Sequence, residues 1–161
     1  MMNKRKMACC ELYESMERGS LLIRKYNTLP RNYFGHQLFP AETHMLQHIG
    51  RHPEITTWQL AAAMKKTPSA VSQLVKKLKQ HGVLMVKQNP ANNRESFLCL
   101  NEEGWKIYAA HEALDERMMS RFSSALQDFS AEDIERCICI QEILNKKFAE
   151  NLQILQEENQ T

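Results

Sequence analysis

The sequence predicts a mainly α-helical protein with one small β-hairpin, and three observations lead to that prediction. Apolar residues recur at helical spacing through most of the 161 residues. Two short apolar runs, 83–86 and 96–100, interrupt that spacing. The chain has only five glycines and five prolines, too few for a loop-rich β-sandwich. We therefore expect helices on both sides of a single hairpin.

Composition places the chain among ordinary globular proteins. It is 43% apolar and 25% charged, which is typical of one soluble domain, here taken as residues 1–161. No apolar run reaches the roughly 18 residues of a membrane span, and no apolar stretch follows the basic N-terminus as it would in a secretory signal. Five cysteines, an odd number, do not form a disulfide framework. We expect a cytoplasmic protein with reduced thiols.

The outer parts of the chain are predicted to be helices. Apolar spacing predicts a helix over 11–26, a connection over 27–39, and a second helix that begins at Pro40 and stops at Gly50. A long helix runs from Asn101 to about residue 127, and a last one starts at Ser130 with an apolar stripe about twenty residues long. A small central module cannot cover that stripe and the first helix. A second copy of the chain is the simplest cover, so 8–30 and 101–157 are predicted dimerisation helices.

Two short helices in the middle are marked by strong local signals. Thr56 and Gln59 have the spacing of a capping box, and Thr67 with Pro68 starts the next helix after a short turn. Such a pair is a helix-turn-helix. The second helix, 68–79, has an apolar face of Val71, Leu74, Val75 and Leu78, and ends at His81-Gly82. Its polar side suits a major groove: Ser69, Ser72 and Gln73 at base edges, Lys76 and Lys77 at phosphates.

The hairpin follows this helix directly. Residues 83–86 and 96–100 are its predicted strands, and 87–94 form a long, polar, basic tip. A hairpin in this position is a wing, and Arg94 at its tip is placed to enter a minor groove.

Charge is concentrated in the same region. Between Thr57 and Leu100 seven basic residues face Glu95 alone, a net formal charge of +6 in a chain whose total is +2. A basic centre favours a nucleic-acid partner, although a solvated lysine-rich helix face has the same composition.

The order of these elements, with the stretches QLAAAMKKTPSAVSQLVKKLKQHGVL and NNRES…LNEEG, resembles the MarR family of bacterial transcription regulators. The resemblance covers about 36–120 by motif and the whole chain by organisation, with a winged helix-turn-helix module at about 40–100. It implies a homodimer on a pseudo-palindromic operator, most commonly a repressor, released by a small-molecule effector. The implied DNA-binding residues, joined to those derived above, are Lys65, Thr67, Pro68, Ser69, Ser72, Gln73, Lys76, Lys77, Lys87, Asn92 and Arg94.

The sequence departs from the family at one wing position. Asn92 stands where the family usually has an acidic residue that holds the wing arginine, so we expect a weaker hold on Arg94. The pattern of His44 with His111-Glu112 resembles that of family members that regulate fatty-acid synthesis and, more loosely, that of members that sense zinc. We expect an effector pocket at Tyr26, His44, Met45 and His111.

Three other interpretations stay open. His111 and Asp115 share a helix face at i, i+4, and with His44 they are a candidate zinc site. Cys9 and Cys10, after the cations at 4–6, are candidate oxidant sensors, and Cys137 is expected in the core. The module could also dock a protein rather than DNA. The sequence contains no nucleophile–base pair and no glycine-rich phosphate-binding loop, so no motif in it indicates an enzyme.

Overall fold

The computed structural model describes residues 3–90 and 92–159, except for the side chains of Asn93 and Arg94. The fold is mainly helical, as the sequence predicted, but the described residues form two small antiparallel sheets where the sequence predicted a single hairpin. The elements in chain order are α1 (Lys4–Asn27), β1 (Arg31–Tyr33), β2 (His36–Leu38), α2 (Pro40–Arg51), β3 (Ile55–Thr56), α3 (Thr57–Ala63), α4 (Pro68–Gln80), β4 (Leu84–Asn89), β5 (Asn92–Leu100), α5 (Glu102–Ala125) and α6 (Ala131–Glu158).

Contacts divide the chain into two compact units, residues up to 115 and residues from 116 onward. The hydrophobic core lies in the first unit and draws on α2, α3, α4, α5 and both sheets. Its largest fully buried members include Leu38, Met45, Leu60, Leu78 and Ile107. By contrast, neither α1 nor α6 contains a buried residue. No helix among the described residues is long and apolar enough to cross a membrane.

Most helix starts follow the local signals. Thr56 accepts a hydrogen bond from the Gln59 backbone N–H at 3.3 Å, and the Gln59 side chain accepts one from the Thr56 backbone at 2.9 Å. Asn101 caps α5 by accepting from the Gly104 N–H at 2.9 Å, and α6 begins after the Ser130 cap. The first helix is longer than predicted because Asn3 caps it, accepting from the Arg5 N–H.

Gly50 was expected to stop the second helix, and this is wrong, because α2 continues to Arg51. A Cβ at Gly50 would lie 2.6 Å from Cδ2 of Tyr108 on α5. The glycine therefore permits close approach of α2 and α5 instead of ending a helix.

The predicted connection at 27–39 contains a hairpin. β1 and β2 pair antiparallel through Tyr33 and His36, and the two residues between them, Phe34 and Gly35, both have positive φ. Two such residues form the tight turn whose twist suits a hairpin. Strands of three residues are too short to show a period of two in the sequence.

The wing has longer strands and a shorter tip than predicted. β4 and β5 pair from Leu84 with Leu100 to Gln88 with Ser96, and again at Asn89 with Asn92 after a shift of register. Polar residues therefore continue the ladder, because a strand exposed to water on both faces needs no apolar alternation. β3 adds a third strand through Ile55 and Leu98, which the sequence analysis did not predict.

Candidate nucleic-acid interface

The helix-turn-helix is held by short-range backbone contacts. α3 ends at Ala63, and α4 begins at Pro68 with Thr67 as its cap, whose side chain accepts from the Ala70 N–H at 3.3 Å. Pro68 occupies the first turn of the helix, where a missing N–H costs nothing. In the intervening turn Lys65 has φ 51°, the left-handed region.

The two faces of α4 differ as the sequence predicted. Val71 and Leu78 are fully buried, while Leu74 and Val75 are partly buried against the core. The predicted DNA-facing side chains of this helix are all exposed: Ser69, Ser72, Gln73, Lys76 and Lys77. The core thus fixes one face of α4 and leaves the other to solvent.

The cations near this face are available to a ligand. Lys65, Lys76, Lys77 and Lys87 are exposed and form no ion pair with another described residue. Their charges stay unneutralised within residues 3–90 and 92–159, so the positive potential of the module extends into solvent.

The wing residues are only partly described. Lys87 lies on β4 opposite Phe97, and Asn92 begins β5. Asn89 Nδ2 donates to Glu95 Oε2 at 3.1 Å across the hairpin. The backbone of Arg94 belongs to β5, not to a long tip, but its side chain is outside the described residues. Its insertion into a minor groove and its contact with Asn92 therefore stay predictions.

A second cluster of polar side chains surrounds His111, which is 1% exposed on α5. Its Nδ1 lies 2.8 Å from the Tyr33 hydroxyl, and the His44 ring centroid lies 6.1 Å from its own. Burial lowers the pKa of His111, and the nearby Asp115 carboxylate opposes that shift. The fold therefore favours the uncharged form of His111 more than water does.

Sequence analysis missed the residues that hold this cluster together. Gln47 Nε2 donates to Glu112 Oε1 and to Asp115 Oδ2, both at 2.7 Å. Arg51 Nη2 donates to the same Glu112 oxygen at 2.7 Å. The sequence does place Gln47 and Arg51 at i, i+4 on α2, and Glu112 and Asp115 at i, i+3 on α5. No local pattern, however, indicates that these two segments, 65 residues apart, lie side by side.

The predicted zinc residues do not assemble into a metal site. His111 Nδ1 is engaged with Tyr33, and Nε2 lies 3.8 Å from an Asp115 oxygen that already accepts from Gln47. Among the described residues, no three His, Cys, Asp or Glu side chains converge as a metal requires. His44, His111 and Asp115 therefore do not form a metal site as they are arranged here, and their role as zinc ligands stays a prediction.

The predicted effector residues are only partly brought together. His44 and His111 are neighbours, but Met45 is fully buried in the core. Tyr26 lies at the end of α1, where its hydroxyl accepts from Arg31, whose guanidinium is 4.7 Å from the ring centroid.

Four of the cysteines are exposed in the single chain. Cys9 and Cys10 lie on α1, and Cys137 and Cys139 on α6. The expectation that Cys137 lies in the core is wrong for one chain, because α6 buries none of its residues. Instead it lines an apolar groove with Leu126 and Ile138.

Comparison with known proteins confirms the family resemblance. The MarR family model matches residues 38–96, from β2 through the wing. The HTH-type transcriptional regulator YvnA of Bacillus subtilis is 28% identical over 95 residues, which are 59% of this chain and 60% of that protein. The chain thus spans less than two thirds of the length of that curated relative.

Solved structures confirm the fold beyond the matched segment. The MarR family transcription regulator SP03579 has a TM-score of 0.75 at 20% identity, covering 94% of this chain and 99% of that one. The zinc-responsive MarR family member ZitR of Lactococcus lactis has 0.67 at 19%, covering 85% and 99%. FabT of Streptococcus pneumoniae, solved in complex with DNA, has 0.64 at 21%, covering 91% and 98%.

Proposed function

We propose that this chain binds duplex DNA as a homodimer and represses transcription. Its residues 38–96 match the model of the MarR family, a family of transcription regulators. Members of that family are regulators and not enzymes, in agreement with the sequence analysis. The proposed target is a pseudo-palindromic operator in the bacterial cytoplasm. Each α4 enters a major groove, and the two half-sites lie about one helical turn apart.

One observation carries the proposal: the solvent face of α4 combines short polar side chains with lysines that form no ion pair with another described residue. Ser69, Ser72 and Gln73 are exposed toward the N-terminal end of α4, and Lys76 and Lys77 follow within one turn. Short hydroxyl and amide side chains suit base edges, and ammonium groups suit phosphates. The complex of FabT with DNA, which shares this fold, supports DNA as the partner.

The wing supplies the rest of the proposed footprint. Lys87 is exposed on β4 and can neutralise a phosphate. Arg94 is proposed to enter the flanking minor groove, as the family resemblance implies, with Asn92 beside it. Lys65 and Thr67, with Pro68, bring the N-terminal end of α4 against the backbone of the duplex.

The proposed homodimer is supported by the apolar faces of the terminal helices. Leu22 and Ile23 of α1 are 65% and 62% exposed, and Ile143 of α6 is 66% exposed. Helices in proteins draw most of their stability from packing an apolar face, yet these two, of 24 and 28 residues, have no buried residue among those described. A two-fold partner would cover both.

Regulation is proposed to act through the spacing of the two recognition helices. A small-molecule effector that prefers one spacing would shift the population toward it. Zinc is not proposed as this effector, because His44, His111 and Asp115 do not assemble a metal site. His44 and His111 remain proposed effector contacts, since they are neighbours at 6.1 Å.

The test compares two variants of α4 by fluorescence anisotropy on DNA from upstream of the gene, at two salt concentrations. Lys76→Gln should weaken binding to every sequence and reduce the salt slope by about two, because each subunit of the proposed dimer loses one phosphate contact. Gln73→Ala should instead relax base preference at one position by about 1–3 kcal/mol.

Lys146→Gln on α6 is the matched control for the loss of charge, since Lys146 is exposed and outside the module. It should leave both the affinity and the slope as they are. If DNA binding depended neither on the salt concentration nor on the base sequence, the proposal would be contradicted. A module that docks a protein would then be favoured.

A further inference from the structure

The turn after α4 and the start of α5 meet directly, although the wing separates them in the chain. Asn101 Nδ2 donates to the Gly82 carbonyl oxygen at 2.6 Å. The backbone N–H of Asn101 donates to the Val83 carbonyl oxygen at 3.4 Å. One residue therefore connects the end of the proposed recognition helix with the start of the long helix.

The Asn101 side chain caps α5 at the same time. Its Oδ1 accepts a hydrogen bond from the Gly104 N–H at 2.9 Å. A side-chain amide offers a donor and an acceptor together. Asn101 uses both, the acceptor within its own helix and the donor for the turn that follows α4.

The two backbones approach so closely beside Asn101 that glycine is required. A Cβ at Gly104 would lie 2.2 Å from the Val83 carbonyl oxygen and 3.2 Å from Leu100 Cβ. Gly104 is buried, and Val83 has no exposure. The first turn of α5 therefore contacts the turn after α4 through the backbone, with no side chain between them.

The Asn101 contact differs in kind from the other contacts that hold α4. Val71 and Leu78 of α4 are fully buried in the apolar core. Apolar burial has no preferred direction, whereas a hydrogen bond weakens steeply when its angle changes. The core therefore selects the inner face of α4, and the Asn101 hydrogen bond restricts the direction of its C-terminal end.

The helix that begins beside Asn101 continues out of the module. α5 runs from Glu102 to Ala125, and residues from 116 onward belong to the second compact unit. The terminal helices are also the proposed dimer contacts. The direction of α4 relative to α5 therefore bears on where a dimer presents its two recognition helices.

We propose that Asn101 is a positioning residue which, with Gly104, fixes the direction of α4 relative to α5 and thereby selects the separation of the two half-sites. This inference rests on the proposed function, and Asn101 acts through α4 without touching DNA. One added base pair moves a half-site by about 3.4 Å along the duplex and about 35° around it. A fixed α4 penalises that displacement, whereas a loosely held α4 tolerates it.

The test with DNA uses two duplexes of equal length, measured by fluorescence anisotropy. One carries the site found upstream of the gene, and the other carries the same half-sites one base pair further apart. The spacing ratio is the Kd for the lengthened site divided by the Kd for the natural site. We expect the unchanged chain to give a ratio well above one.

Asn101→Asp separates the bridge from the cap. Aspartate is as good a cap as asparagine, but a carboxylate has no hydrogen to donate to Gly82. This variant should lower the spacing ratio about fivefold, roughly the factor that one hydrogen bond contributes. Asn101→Ala loses both contacts and should lower the ratio by a similar factor.

Asn145→Asp on α6 is the matched control, because it introduces the same charge outside the module. The general effect of a charge on DNA affinity is equal for both duplexes and cancels in the ratio, so this variant should keep the original value. Three outcomes would overturn the proposal: a ratio near one in the unchanged chain, an unchanged ratio in Asn101→Asp, or an equal loss in Asn145→Asp. A loss confined to Asn101→Ala would also overturn it, since the cap alone would then explain the effect.

A second measurement tests the position of α4 without DNA. Residual dipolar couplings of backbone amides report the direction of α4 relative to residues 102–115 of α5. Both segments should fit one alignment tensor in the unchanged chain and should require different tensors in Asn101→Asp. A single tensor in both proteins would overturn the proposal. If the chain binds no DNA, the proposed function fails, while these couplings still decide whether Asn101 fixes the direction of α4.

Discussion

The winged module and the terminal helices differ in how they are stabilised. Twelve of the fifteen apolar side chains of the buried core lie within the module, and Tyr33, Leu38 and Ile107 of the flanking elements complete it. α1 and α6 are longer than any helix that lies wholly within the module, yet none of their described side chains is buried. The module therefore contains the partners of its own apolar faces, whereas the terminal helices do not.

This difference shows that the same apolar periodicity has two structural outcomes. In α4 the stripe from Val71 to Leu78 meets the core of the same chain. On α6 the side chains of Ile143, Leu152 and Leu155 are all more than half exposed. Exposed apolar faces of this size mark an interaction surface. Each of the following predictions tests one side of that comparison.

The largest effect is expected from a cavity in the module. Leu78→Ala removes a side chain with no exposure and should lower the free energy of unfolding by about 2–5 kcal/mol. Urea denaturation at fixed protein concentration measures it. Lys79→Ala, the exposed neighbour, should change it by less than about 0.5 kcal/mol. Equal losses in the two variants would show that the module has no core of its own.

A charge on the terminal helix should act on assembly instead. Ile143→Asp places a carboxylate on the proposed apolar interface, where its desolvation is costly, and should raise the dimer dissociation constant about 100-fold. Sedimentation velocity measures the dimer. Asn145→Asp adds the same charge at a polar position of α6 and should keep the wild-type assembly.

The same variant tests the independence of the module. Near-ultraviolet circular dichroism of Ile143→Asp should still report folded packing, because the core does not include α6. Loss of that signal would show that the winged module depends on the terminal helix for its folded packing.

A smaller effect is expected at the start of the recognition helix. Thr67→Ala removes the side chain that accepts from the Ala70 N–H and should cost about 1 kcal/mol of stability. Ser69→Ala, inside the first turn and exposed, is the control for loss of a hydroxyl and should cost less than half of that. Thermal unfolding of both variants decides whether this helix start depends on its local cap.

The smallest effect concerns pH. Burial lowers the pKa of His111 in the folded chain below the unfolded value of about 6.5. Below that value the unfolded chain binds the extra proton, so the free energy of unfolding should decrease as the pH falls from 6.5 toward the folded pKa. Urea unfolding between about pH 7.5 and 5.5 measures the slope. His111→Gln should flatten it, and an unchanged slope would assign the effect to other groups.

The local starts of the helices followed from the sequence, and so did the exposed face of α4. Thr56, Thr67 and Pro68 act on backbone groups within three residues, so their effect is visible in a short window. The face of α4 follows from the 3.6-residue period. The sequence therefore identified the exposed polar residues of α4 that belong to the candidate interface. Their contacts with DNA remain a proposal.

The tertiary structure alone decided the features that join distant segments. Gly50 meets Tyr108, Gln47 meets Glu112, and Ile55 pairs with Leu98, in each case across more than 40 residues. The contact of Asn101 with Gly82 likewise exists only because the start of α5 packs against the turn after α4. Such contacts depend on how elements pack rather than on what lies next in the chain, so no local pattern contains them.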